Sequence, residues 1–171
     1  MPFPLEQDGL ALAVGSALEA RGMRVAVAET TAGGLISARL LSVAGASRWF
    51  ERGVVAYSGS AKVEALGVDR ELLREAGAVS GPAVAAMAEG LRRQSAVDIA
   101  VAESGIAGPQ GSRRSPKPVG SVVIAVCGPA GTRVEERQFE GTRAQVMEGI
   151  AGAALTVLLA EIERTGPGPA Q

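Results

Sequence analysis

An apolar run breaks off at Val27-Ala28-Glu29-Thr30-Thr31-Ala32-Gly33-Gly34-Leu35-Ile36, where hydroxyls and paired glycines intervene before a helical pattern resumes. The string reads as strand, tight turn and helix N-terminus, an arrangement native to open α/β sheets. In such sheets ligands sit beyond the carboxyl ends of strands, and the N–H groups opening the next helix suit an anion or a developing oxyanion. Thr30 and Thr31 stand at that place. Their hydroxyls can do chemistry or simply cap the helix, with the glycines permitting close packing. The turn alone leaves both roles open.

The rest of the chain keeps alternating between the two periods. Residues 5–21 place Leu10, Val14 and Leu18 four apart among Glu6, Gln7, Ser16 and Glu19, an amphipathic helix that Gly22 stops. Arg24 to Ala28 is a short strand and Gly33 to about Leu41 a helix. Gly45 to Phe50 reads as a loop, Gly53 to Tyr57 as a second buried strand, and Tyr57-Ser58-Gly59-Ser60-Ala61-Lys62 leaves that strand towards the same rim as the first turn. Short helices follow over 60–66 and 69–76. Ser80-Gly81-Pro82 opens a longer one reaching Gln94, with Pro82 at an early helical position and Val84, Met87, Ala88 and Leu91 facing inward.

Asp98 to Ala102 is the third strand. The glycine- and proline-rich stretch 104–118 is too long for a plain connector and marks a binding loop or a free flap. Ser121 to Cys127 is nearly all apolar, as for a strand covered on both faces. Thr132 to Phe139 carries Arg133, Glu135, Glu136 and Arg137 and belongs at a sheet edge. The last helix runs from about Thr142 to Arg164, and Gly149 to Ala160 holds no charge, too short a stretch to cross a bilayer. Such a helix needs cover on more than one side, which predicts a homodimer interface there; burial within one chain is the alternative. Residues 165–171 read as a disordered tail. The pattern specifies one three-layer αβα domain with a mixed sheet over residues 1–164.

Composition narrows the function. With 171 residues and 47% hydrophobic content, the chain can bury one sizeable core. A net charge of −1 without a basic block leaves no electrostatic footprint for nucleic acid or an anionic membrane, so a small molecule or a protein is the expected partner. The single Cys127 fits a reducing cytoplasm, and Met1-Pro2-Phe3-Pro4 lacks the basic start of an export signal. With no histidine and one cysteine the usual zinc sets cannot form, and acid–base chemistry falls to lysine, tyrosine or carboxylates.

The segment Ala28 to Gly34 resembles the A-E-S-C-T-G-G signature of the C-terminal domain family of the competence/damage-inducible protein CinA. The likeness continues through Gly45-Ala46-Ser47-Arg48-Trp49-Phe50-Glu51-Arg52-Gly53, Tyr57-Ser58 with Ala61-Lys62, Leu66-Gly67-Val68 and Gly77-Ala78-Val79-Ser80. Ser104-Gly105-Ile106-Ala107-Gly108-Pro109, Lys117-Pro118-Val119-Gly120 and Phe139 with Gly141 and Arg143 complete it, in unbroken order over residues 5–162. Family members often carry a further N-terminal nucleotide-pyrophosphatase domain, for which this chain has no room.

Active members are nicotinamide mononucleotide deamidases, so the resemblance implies hydrolysis of that nucleotide to nicotinic acid mononucleotide and ammonia, without metal or cofactor. By resemblance Thr30 stands where the family has its nucleophilic serine and Lys62 is the assisting lysine; Tyr57 is the candidate to orient that amine or relay its proton. The N–H groups of Thr31 to Gly34, or of Gly105 and Ile106, would hold the oxyanion. Glu29, Ser104, Ala107 and Gly108 complete the expected substrate site, with Arg113, Arg114 or Arg143 on the phosphate.

The chain departs from the family pattern at several motif positions. Serine is Thr30, cysteine Thr31, threonine Ala32; the glutamate of S-E-P is Gly81, a glycine is replaced near Gln110-Gly111-Ser112, and the aspartate of G-D-R is Thr142. Threonine keeps a hydroxyl but stiffens χ1. Two readings follow: a hydrolase using Thr30, or a catalytically weak relative that binds a nucleotide-like ligand or a protein partner through the same rim.

Overall fold

The computed structural model describes residues 8–109 and 115–166. In chain order the elements are α1 (Gly9–Arg21), β1 (Val25–Glu29), α2 (Leu35–Leu41), a short 3-10 turn (Ala46–Arg48), β2 (Phe50–Val55), α3 (Gly59–Leu66), α4 (Arg70–Ala76) and α5 (Gly81–Ser95). Then follow β3 (Ile99–Gly105), β4 (Ser121–Gly128), β5 (Gly131–Gln138) and α6 (Arg143–Arg164). The strands form one mixed sheet in the order β2-β1-β3-β4-β5, with β1 parallel to both β2 and β3 and the remaining pairs antiparallel.

Alternation within the strands divides the core. Val25, Val27, Ile99, Val101, Ile124 and Val126 face α1, α2 and α6, where they meet Val14, Leu18, Ile36, Leu40, Ile150 and Leu155. The intervening Ala26, Ala28, Ala100, Ala102 and Ala125 face the opposite layer, where α5 supplies Val84, Met87, Ala88 and Leu91. Alanine on that face lets α5 lie close to the sheet. Gly90 of α5 carries the closeness further: a Cβ there would stand 1.9 Å from the Leu66 carbonyl oxygen of α3.

Capping groups set the helix starts. The Asp8 carboxylate accepts the Ala11 N–H at 3.1 Å and takes the Arg39 guanidinium at 2.5 and 3.0 Å, which ties α1 to α2 and holds the Asp8 carboxyl below its ordinary range. Thr142 and Gln145 form a reciprocal capping box at the start of α6, so threonine at this position preserves the cap.

Two expectations need correction. The second strand begins at Phe50 and is an edge strand with Val55 half exposed, because β1 pairs with it from Val25↔Phe50 onward and, among the described residues, no strand pairs with its other edge. Helix α2 begins at Leu35, since Gly33 (φ 65°) and Gly34 (φ 102°) adopt left-handed backbone and turn the chain before the helix starts. Helix α6 packs part of its apolar girth inside the chain, against α1 and α2 on one side and β3 and β4 on the other. Among the described residues α6 alone is long and apolar enough to cross a membrane by length and composition, yet half of its most apolar stretch is buried in the domain. Residues 167–171 of the expected tail lie outside the described residues.

Candidate functional site

Strand order reverses at β1: the chain passes from β1 to β2 on one side, then crosses back through α3, α4 and α5 to β3 on the other. The carboxyl ends of β1 and β3 therefore border a crevice, the usual ligand position in such sheets. A cleft of about 430 Å³ opens there, lined by Thr30, Thr31, Tyr57, Lys62, Ala78, Val79, Ser104, Gly105, Ile106, Ala107, Gly108, Pro109, Ser115 and Arg143.

Lys62 enters this cleft from the first turn and a half of α3, whose N-terminus the Ser58 hydroxyl caps. It is 1% exposed. Its Nζ donates to the carbonyl oxygens of Ala56 (2.8 Å) and Tyr57 (2.9 Å). The Thr30 hydroxyl donates to the same Ala56 oxygen at 3.2 Å, so alcohol and amine converge on one acceptor. Burial holds the Lys62 amine below its ordinary range, and the nearby charge of Glu103 works against that fall. A neutral amine has two hydrogens, enough for both carbonyls, and keeps its lone pair for a third partner.

The carboxyl ends of the neighbouring strands carry two glutamates that are wholly buried. Val25-Ala26-Val27-Ala28-Glu29 and Ile99-Ala100-Val101-Ala102-Glu103 are nearly the same string, and their in-register pairing (Val25↔Ile99 to Ala28↔Ala102) brings the two acids side by side on one face. Glu29 accepts from the Gly34 (2.9 Å), Ile36 (3.0 Å) and Ser37 (2.8 Å) amides and from the Ser37 hydroxyl (2.6 Å). Glu103 Oε1 accepts from the Thr30 (2.6 Å) and Ala32 (2.8 Å) amides, while its Oε2 has no hydrogen-bond partner among the described residues. Burial, with the Glu29 charge adding to it, pushes the Glu103 carboxyl up to about 7 against the pull of the turn amides.

These bonds revise the expected anion site. Glu29, Gly33 and Gly34 do not line the cleft; the helix N-terminus they were expected to offer a ligand is filled by the chain's own carboxylate. The expected amides of Gly105 and Ile106 are engaged too. Gly105 N–H donates to the Thr31 hydroxyl at 2.8 Å, which donates back to the Gly105 carbonyl at 2.9 Å, and Ile106 N–H bonds to Ser121 O at 2.9 Å. Thr31 thus stitches the β1–α2 turn to the loop after β3. The amides of Ala107 and Gly108, on the cleft wall, have no acceptor among the described residues.

Tyr57 meets Lys62 through its backbone carbonyl, not through its ring. The exposed phenol instead lies 3.4 Å from Arg143, whose other nitrogen donates to the Gly108 carbonyl at 2.7 Å, so the arginine spans the cleft mouth from the start of α6. Arg113 and Arg114 lie outside the described residues. The expectation that missed most was that of unoccupied amides. The near-repeat ending in Glu29 and Glu103 was the available signal for the two acids, and it becomes informative only when parallel pairing sets the strings abreast.

A three-layer α/β domain with a buried lysine and a hydroxyl converging at the carboxyl ends of parallel strands defines the class of this protein. The chain belongs to the CinA C-terminal domain family, whose model matches residues 7–162. It is 48% identical over 145 residues to a CinA-like protein of Syntrophobacter fumaroxidans, covering 85% of this chain and 34% of that protein. A CinA-like protein of Anaeromyxobacter dehalogenans is 45% identical over 152 residues, covering 89% and 37%. The chain therefore spans about a third of the length of the curated relatives it matches. Among solved structures, the competence damage-inducible protein A of Klebsiella pneumoniae superposes with a TM-score of 0.88 at 33% identity, covering 92% of this chain and 97% of that one. The competence/damage inducible protein CihA of Agrobacterium tumefaciens gives 0.85 at 35% identity, covering 94% and 96%.

Proposed function

We propose that this chain is an amidohydrolase that deamidates nicotinamide mononucleotide to nicotinic acid mononucleotide and ammonia. The reading is carried by the convergence of the Thr30 hydroxyl and the buried Lys62 amine on the Ala56 carbonyl inside a cleft of ligand size. Thr30 Oγ1 attacks the amide carbon as the Lys62 lone pair takes the hydroxyl proton. The amides of Ala107 and Gly108 supply donors for the resulting oxyanion. Lys62 then returns the proton to the leaving nitrogen, the C–N bond breaks and ammonia departs, leaving an ester on Thr30. Water attacks that ester with Lys62 as base; the acid is released and the hydroxyl restored. Arg143, at the cleft mouth, meets the phosphate.

The same proposal includes a homodimer through the outer face of α6 and action in a reducing cytoplasm; sedimentation of the purified chain tests the first. The decisive assay is ammonia release from nicotinamide mononucleotide by the wild type, Thr30→Ala, Thr30→Ser and Lys62→Ala. Turnover in the wild type that both alanine variants abolish is the expected result. A silent wild type with an active Thr30→Ser would mean that only the nucleophile has been lost, and silence from both would favour a binding module.

A further inference from the structure

Among the described residues Glu29, Glu103 and Glu161 are the buried acids. Glu29 is saturated by the α2 amides, and Glu161, paired with Arg164 at 3.2 Å, sits beside Gly128 at the far end of the sheet. Glu103 is different: wholly buried, bonded through one oxygen to the backbone that carries Thr30, and unpartnered at the other. From its Oε1 a continuous path runs through the Thr30 N–H, the Thr30 hydroxyl and the Ala56 carbonyl to Lys62 Nζ.

We propose that Glu103 is a positioning residue for the Thr30–Lys62 pair: it holds the Thr30–Ala32 turn by two amide bonds and, by its own charge, governs how firmly the Lys62 amine keeps a proton. The charged groups acting on Glu103 are Glu29 from β1 and Lys62 from α3, while β4 sets apolar Ile124 opposite it. The two adjacent acids have unequal donor sets: Glu29 accepts from four donors, whereas Glu103 has one oxygen free of donors among the described residues, which makes Glu103 the one to take up a proton. An ionised Glu103 favours the ammonium form of Lys62; a neutral one releases the amine to act as base. The catalytic consequence rests on the hydrolase reading, whereas the coupling between the two side chains does not.

The chain has two lysines, Lys62 and Lys117, so carbon-13 lysine labelling gives two side-chain signals that Lys117→Arg assigns. In Glu103→Gln, which keeps an acceptor for the turn amides, the Lys62 ε-carbon should titrate at lower pH than in the wild type. In the unmutated protein the Thr30 amide proton should move as Glu103 ionises near neutral pH, a readout that needs no variant to fold. An unchanged Lys62 midpoint, or a Thr30 amide flat between about pH 5 and 9, would overturn the proposal. With nicotinamide mononucleotide, the acid limb of kcat/KM should follow Lys62 to lower pH in the variant. Coupling seen by resonance without ammonia release supports the proposal and removes the hydrolase reading alone.

Discussion

Glu103 makes a quantitative prediction about stability that is independent of any substrate. In the unfolded chain its carboxyl titrates near the ordinary 4.5, whereas in the fold it titrates at about 7. The folded state therefore keeps a proton through a window in which the unfolded chain has released it. Its contribution to stability is fully present below the lower value and is lost as pH rises through the upper one. Two and a half pH units at about 1.4 kcal/mol each amount to roughly 3.5 kcal/mol, a large share of the stability of a domain this size. Asp8, held low by Arg39, acts below this window, and Lys62, held low by burial, makes stability rise with pH towards its ordinary 10.5. Comparing the wild type with Glu103→Gln cancels the Asp8 contribution, and that of Lys62 except for its coupling to Glu103. Urea unfolding followed by fluorescence of Trp49, the single tryptophan and 1% exposed, reports the global transition. The two proteins should be similar in stability near pH 5, and by about pH 8 the variant should be more stable by roughly 3 kcal/mol. Parallel curves across that range would refute the argument that Glu103 ionises at the expense of the fold.

Lys62→Met replaces a buried amine by an apolar chain of similar length; turnover should fall by about 10²–10⁴-fold while the urea midpoint stays level or rises, and retained turnover would remove Lys62 as base. Gly90→Ala forces a methyl group onto the Leu66 carbonyl, a backbone atom that cannot swing aside, so despite about 1 kcal/mol of better helix propensity the variant should lose about 2 kcal/mol in denaturant unfolding. Because α3 also carries Lys62, its deamidation rate should drop with it; wild-type stability would show that the helices part freely. Arg143→Gln removes a charged donor from the cleft mouth and should raise KM for nicotinamide mononucleotide about tenfold or more with a smaller change in kcat, whereas an unchanged KM would take the phosphate away from Arg143.

Much of the fold was legible in residue order. The inner stripe Val84, Met87, Ala88 and Leu91 is buried on α5 as its spacing required, and the charges of β5 lie at a sheet edge. The edge position of β2 was not legible, because Gly53-Val54-Val55-Ala56 is as apolar as a central strand and its exposure follows from sheet order alone. At the site, the strings around Thr30, Lys62 and Ser104 to Gly108 were visible as polar breaks after strands. Their chemical condition was not: the burial of Lys62, its two carbonyl partners and the occupation of the α2 amides depend on residues far away in the chain.

The sequence by itself determined the alternation of elements, the two-faced strands and the family, since these rest on periodicity, turn chemistry and short-range strings. Only the tertiary structure decided that Glu29 and Glu103 stand abreast beneath the Thr30 turn and that Lys62 is shut away from water above it. Solvation and charge coupling depend on distances in space, and residues 30, 62 and 103 acquire theirs only when the sheet closes over them.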